Sequence, residues 1–226
     1  MQSSGFLATI YLVYPFLGVI GSLIILAGSI FASSIYRGKA GEPYSVRNHF
    51  ISELGEIGVS KAAAAFNYPM KISGFLFLPF MIGLGFQLNS VWGFIAMGLG
   101  IIAVVSSSFV GVFSMDRLTP HRIAAMTYFR SGLLTILFFT IAIFAQKPGS
   151  QVVPLFINVF GLLAILAYSS FLVIVGKKMD KNENPNYILD PQAMPERPYF
   201  WRSAFLEWMV FFTTILWFLG VSVLSI

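Results

Sequence analysis

Cysteine is absent from all 226 residues, histidine occurs only twice, and charged residues make up 10% of the chain. Without cysteine the chain alone can build no disulfide framework, no thiolate nucleophile and no Cys-ligated zinc or iron–sulfur centre. The scarcity of charge reaches further, because soluble domains carry about 25% charged residues. A chain that is 57% hydrophobic with mean hydropathy +0.82 has too few polar groups to cover a water-facing surface. Also missing are a phosphate-binding Walker loop, a Rossmann glycine fingerprint, HExxH and GxSxG motifs, and any solenoid repeat period, so the sequence names no cofactor.

What is present is membrane-like. Crossing a bilayer takes about 20 predominantly apolar residues in a helix, and six stretches qualify: 6–34, 62–86, 91–113, 121–145, 152–176 and 200–226. The expected architecture is all-α, one polytopic domain over 1–226 forming a bundle of six transmembrane helices. Spans two and three, and four and five, are joined by tight turns suited to antiparallel neighbours. The longer connections run from Ile35 to Lys61 and from Lys177 to Tyr199.

The net charge of +5 reflects basic residues in loops beside apolar spans. Membrane orientation and anionic lipid account for that placement, whereas nucleic acid does not. Arg37, Lys39, Arg47, Lys61, Arg117, Arg122, Lys177, Lys178, Lys181, Arg197 and Arg202 fall on one side of this topology and Lys147 on the other. Basic loops stay in the cytoplasm, which predicts an inner (plasma) membrane protein with both termini outside. Its first span is expected to be an N-out anchor rather than a cleaved signal peptide.

Chemistry-bearing residues gather on the basic side. The first long loop holds Arg47, Asn48, His49, Ser52, Glu53 and Glu56, and a helical reading puts His49 and Glu53 one turn apart. The loop after the third span adds Asp116, Arg117 and His121. Three readings compete: hydrogen-bonded ion pairs with Arg47, Arg117 and Arg122 that tie the loops together; a divalent metal held by His49, Glu53 and His121, with a bound water turned into hydroxide; and bis-histidine haem ligation.

Within the spans, Lys71, Arg130 and Glu207 are placed at similar depth, about 10 to 13 Å from the basic side at about 1.5 Å per residue. Ions at such depth pair, face the bundle interior or line a watery cavity. If Glu207 neutralises one cation, the other is left to attract a lipid phosphate or carboxylate. Asn67 and Ser203, one turn before Lys71 and Glu207, would extend the same polar seam.

Several short motifs resemble the membrane proteins grouped as domain-of-unknown-function family 998, which are distantly similar to DRAM and Frag-type six-span proteins. Asn48-His49-Phe50-Ile51-Ser52-Glu53-Leu54-Gly55 is similar to the family's Ser-acidic-Leu-Gly signature. Phe66-Asn67 with Gly74 resembles its second-span pattern, and Gly111-Val112-Phe113 with Asp116 and His121 resembles the signature ending its third, although Ser114 stands where proline is expected. The resemblance implies that Ser52, Glu53, Asp116 and His121 are the functional set, and it tilts the role toward lipids.

The leading expectation is a protein that binds a lipid-like amphiphile, with its anionic head near Lys71, Arg130 and His121 and with Glu207, Asn67 and Ser52 nearby. The alternatives are an intramembrane metal-dependent hydrolase or acyltransferase, with His49, Glu53, Asp116 and His121 as acid, base or ligands, and an accessory subunit docking other membrane subunits through Lys177 to Arg202. The topology is directly checkable. Cysteines introduced one at a time at Lys39 and Lys178 should resist an impermeant thiol reagent in intact cells, and one at Lys147 should react; the opposite pattern would invert the orientation.

Overall fold

The structure is a computed structural model that describes residues 2–180 and 197–225. Helix accounts for 79% of it, with no strand among the described residues, as the all-α reading requires. Six long helices are α1 (Gln2–Ile35), α2 (Ala63–Leu88), α3 (Val91–Val112), α4 (Leu118–Phe144), α5 (Asn158–Asp180) and α6 (Arg202–Leu224). All six are long and apolar enough to cross a membrane. Most of the docking segment expected between Lys177 and Arg202, namely residues 181–196, lies outside the described residues.

Each helix packs on the next in sequence, and α6 returns to α1, so the bundle closes into a ring. Short loops make this possible. Asn89, in a left-handed conformation with φ 40°, ends α2, and the Ser90 hydroxyl accepts the Gly93 N–H at 3.0 Å to start α3. Between α4 and α5, Gln146 supplies what the turn's backbone lacks: Oε1 accepts the Val152 N–H at 2.8 Å, and Nε2 donates to the Val153 carbonyl at 2.8 Å. Helices α1 and α2 approach closely at Gly28, where an added Cβ would come within 2.5 Å of the Ala65 carbonyl oxygen. Inside the ring, Phe77, Phe80, Trp217 and Phe218 stack and tilt against one another.

The chief departure from the sequence reading is the first long loop. Polar as it is, it folds inward, and the 3-10 helix Ile51–Gly55 is buried at every residue against α1, α2 and α6. Buried backbone in an apolar setting must have its polar groups satisfied. The Phe50 N–H donates to Glu53 Oε1 at 2.8 Å, the Ile51 N–H to Glu207 Oε2 at 2.7 Å, and Asn67 Nδ2 to the Gly55 carbonyl at 2.8 Å.

Arg197 clamps this segment from the other long loop. Its guanidinium meets Glu53 through two bonds, at 3.0 and 2.8 Å, and donates to the Asn48 carbonyl at 2.8 Å. Two further contacts hold the same strip: Asn48 Nδ2 donates to the Pro198 carbonyl and the Trp201 N–H to the Arg47 carbonyl, each at 2.9 Å. An ion pair therefore ties the first long loop to the second, through Arg197, rather than to the loop after the third span through Arg47, Arg117 or Arg122.

Glu53 is fully buried and Arg197 is 15% exposed, so removing either partner strands a buried charge. Glu53→Ala and Arg197→Met should each cost about 3 to 5 kcal/mol, read as a large fall in melting temperature in detergent. The double variant Glu53→Leu with Arg197→Met should recover much of that loss.

Candidate functional site

The inward-folded segment forms the roof of a pocket whose mostly apolar walls carry a few polar side chains. Glu207, in the second turn of α6, is buried and aims its carboxylate at the N-terminal end of the 3-10 helix, where it accepts from the Ile51 N–H and from the backbone and side chain of Ser52. His121, at the start of α4, is buried with Nδ1 2.7 Å from the Phe113 carbonyl oxygen. A carbonyl only accepts, so Nδ1 carries a proton, and in the neutral ring Nε2 presents a lone pair.

Ser52, His121 and Glu207 line two adjoining cavities. One, of about 490 Å³, has Met115, Leu118 and Arg122 toward the end of the bundle. The other, of about 440 Å³, leads inward past Met70, Tyr128 and Phe211. Those three residues also line a third cavity, of about 650 Å³, whose walls are mostly apolar and include Phe77, Met81, Trp217 and Phe218. The sequence thus builds neighbouring cavities with shared walls, the first two lined by ionisable side chains and the innermost by none that is charged.

The remaining candidates fall elsewhere. His49 is packed among Tyr36 and Tyr44, with ring centroids 5.5 and 5.0 Å away; its Nδ1 lies 3.0 Å from Asn48 Oδ1, and its Nε2 lies 3.8 Å from Glu42, too far for a hydrogen bond. Asp116 is exposed in the 3-10 turn Met115–Arg117 and accepts from the Ser114 hydroxyl. The serine that replaces the expected proline therefore has a partner of its own.

The intramembrane triad expected of Lys71, Arg130 and Glu207 does not form. No ion pair joins Glu207 to either cation among the described residues. Lys71 sits 5.0 Å over the Tyr68 ring, Arg130 is exposed on α4, and neither lines the cavities. Backbone N–H groups, not a cation, hold the Glu207 carboxylate. The two histidines likewise do not share a ligand set: among the described residues no three His, Asp or Glu side chains are grouped to hold a metal ion. Asn67 and Ser52 do join the roof, and Ser203 is buried with no hydrogen-bond partner for its hydroxyl among the described residues.

Arg122, Tyr128 and Arg197 acquire roles that the sequence reading did not assign. Tyr128 lies seven residues after His121, on the same helical face, and that spacing is the signal that would have found it. Arg197 carried none, since it stands in a proline-rich loop remote in sequence from Glu53.

These features define a class: a polytopic α-helical membrane protein whose first long loop folds back into the bundle over an internal cavity. Residues 19–224 match the family described as protein of unknown function, DUF998, and the chain belongs to that family. No curated protein and no solved structure matches the chain.

Burial lowers the His49 pKa to about 4 from its usual 6.5, and the Arg197 charge lowers it further, against the opposing pull of Ser45 and Glu42. Burial also pushes the Glu53 carboxyl up, opposed by Arg197 and the Phe50 N–H. For His49 the folded state holds the proton less tightly than the unfolded chain. Its stabilising contribution is therefore full above pH 6.5 and is lost as pH falls toward 4. Melting temperature in detergent should decline across that window, and His49→Gln should flatten the decline; an unchanged slope would remove His49 as its cause.

Proposed function

We propose that this integral membrane protein binds a lipid-like amphiphile, with its anionic head among Ser52, His121 and Arg122 and its apolar part in the inner cavity. The observation that carries this reading is the series of shared walls. Ser52, His121, Ala125, Phe129 and Glu207 belong to both polar-side cavities, and Met70, Tyr128 and Phe211 to both the second and the third. A ligand that fills such a series is polar at one end and long and apolar at the other. Arg122 supplies the cation that the head requires, in place of Lys71 and Arg130. The charge asymmetry of the loops supports an inner-membrane location with this end of the bundle facing the cytoplasm.

One observation favours a second reading, acyl transfer. Ser52 and His121 line the same two cavities, and were the Ser52 hydroxyl to turn from Glu207 to His121 the two would serve as nucleophile and base. In that reading His121 acts as a base without a metal.

Native mass spectrometry of gently purified protein, with metal analysis on the same sample, tests both. The wild type should retain an anionic lipid. Arg122→Met should lower its retention roughly tenfold, the worth of a charge-assisted hydrogen bond. Ala125→Phe, which fills the passage between the polar cavities, should abolish it at an unchanged melting temperature, and Lys71→Met and Arg130→Met should retain lipid as the wild type does. Full retention in both Arg122→Met and Ala125→Phe would defeat the reading, while an acyl adduct on Ser52 that disappears in His121→Ala would favour acyl transfer.

A further inference from the structure

Half of the six hydroxyls lining the inner cavity are taken up by helix backbone. Ser73 donates to the Gly21 carbonyl at 2.9 Å, Ser107 to Val104 at 3.2 Å and Thr135 to Ser131 at 2.7 Å. Three others bond to one another instead: Thr214 Oγ1 donates to the Tyr168 hydroxyl at 3.2 Å, and Tyr168 donates to Tyr128 at 3.0 Å. All three line the inner cavity, and Tyr128 also lines its polar neighbour.

Three hydroxyls carry three protons, and the two bonds of this relay use two of them. Reversing the relay moves the spare proton from Tyr128 to Thr214, and both ends face the inner cavity. Within the protein the third proton has only Thr214 in reach of Tyr128 among the described residues, so a ligand acceptor in the cavity competes with that one contact for it. No charged side chain lines this cavity, so the complementary group is neutral and accepts a hydrogen bond. Tyr128 stands two turns below His121 on the same face of α4, about 10 Å along the axis. Its side chain leans back toward the helix start, which shortens that gap toward the spacing between a lipid head and the first carbonyl of its chain.

We propose that the Tyr128 hydroxyl is a binding subsite for a carbonyl oxygen, so that the ligand is an acyl lipid with an ester or amide at the head of its chain, not an ether lipid or a plain alkyl amphiphile; this rests on the amphiphile reading above. The competing use of the spare proton is Tyr128 donating to Thr214, which lies within reach of it and would close the relay into a ring.

The test titrates the purified full chain with phosphatidylglycerol carrying either two ester-linked chains or two ether-linked chains of equal length, read by native mass spectrometry. The expected result is a preference of about fivefold for the ester lipid, the worth of one neutral hydrogen bond, and its loss in Tyr128→Phe at an unchanged melting temperature. Equal binding of the two lipids by the wild type would mean that the hydroxyls satisfy one another, which overturns the subsite and leaves the amphiphile reading standing. A preference that survives Tyr128→Phe also overturns the subsite. Binding of neither lipid overturns both proposals. The wild-type comparison requires no variant, so it decides the matter even where Tyr128→Phe fails to fold.

Discussion

A polar loop buried among membrane helices is sustainable only where every exposed backbone donor finds an acceptor, and here two carboxylates meet that demand. Glu53 takes the Phe50 N–H and Glu207 takes the Ile51 N–H, so the N-terminal end of a buried 3-10 helix is capped from within and from α6. Everything around the site inherits its position from this arrangement. Ser52 lies over the cavity because the segment is pinned on either side of it, and Arg197 keeps Glu53 paired so that the pinning holds.

Charge is used sparingly but in two distinct ways. Glu53 and Arg197 form a paired, nearly dry contact, and such a contact fixes geometry more than it adds net stability. Glu207 has no cationic partner among the described residues and is held by backbone and hydroxyl donors, which fits a side chain that both closes a structural gap and faces a cavity. Arg122, exposed and lining the outer cavity, has no ion-pair partner among the described residues.

The fold was legible in the sequence because six apolar runs of bilayer length leave little choice of architecture, and the observed helices fall on them. The fourth begins a few residues earlier than its hydropathy suggests, at Leu118, since the turn of Met115–Arg117 runs straight into it. The family was legible too, from the Ser-acidic-Leu-Gly stretch and the residues around Asn67 and His121. The site was less so. His49, Glu53 and Glu56 read as members of an ion-pair network or a metal site in a loop on the basic side, and nothing local in sequence signals that the loop folds into the bundle. Equal depth suggested that Lys71, Arg130 and Glu207 meet, but depth says nothing of helix rotation, and rotation sends Arg130 outward and Glu207 inward. Cavities arise from tertiary packing, and no run of residues reports them.

The closing contact of the ring has a consequence for how the protein is made. A chain synthesised from its N-terminus presents α1 and the first loop long before α6 exists, yet the groups that hold that loop, Arg197 and Glu207, arrive with the last span. During biogenesis the loop must therefore wait, its carboxylate and backbone donors served by water or lipid headgroups, until α6 inserts and packs back on α1. The pocket is thus the last part of the molecule to come into being, and a chain cut short before α6 would enter the membrane without ever acquiring it.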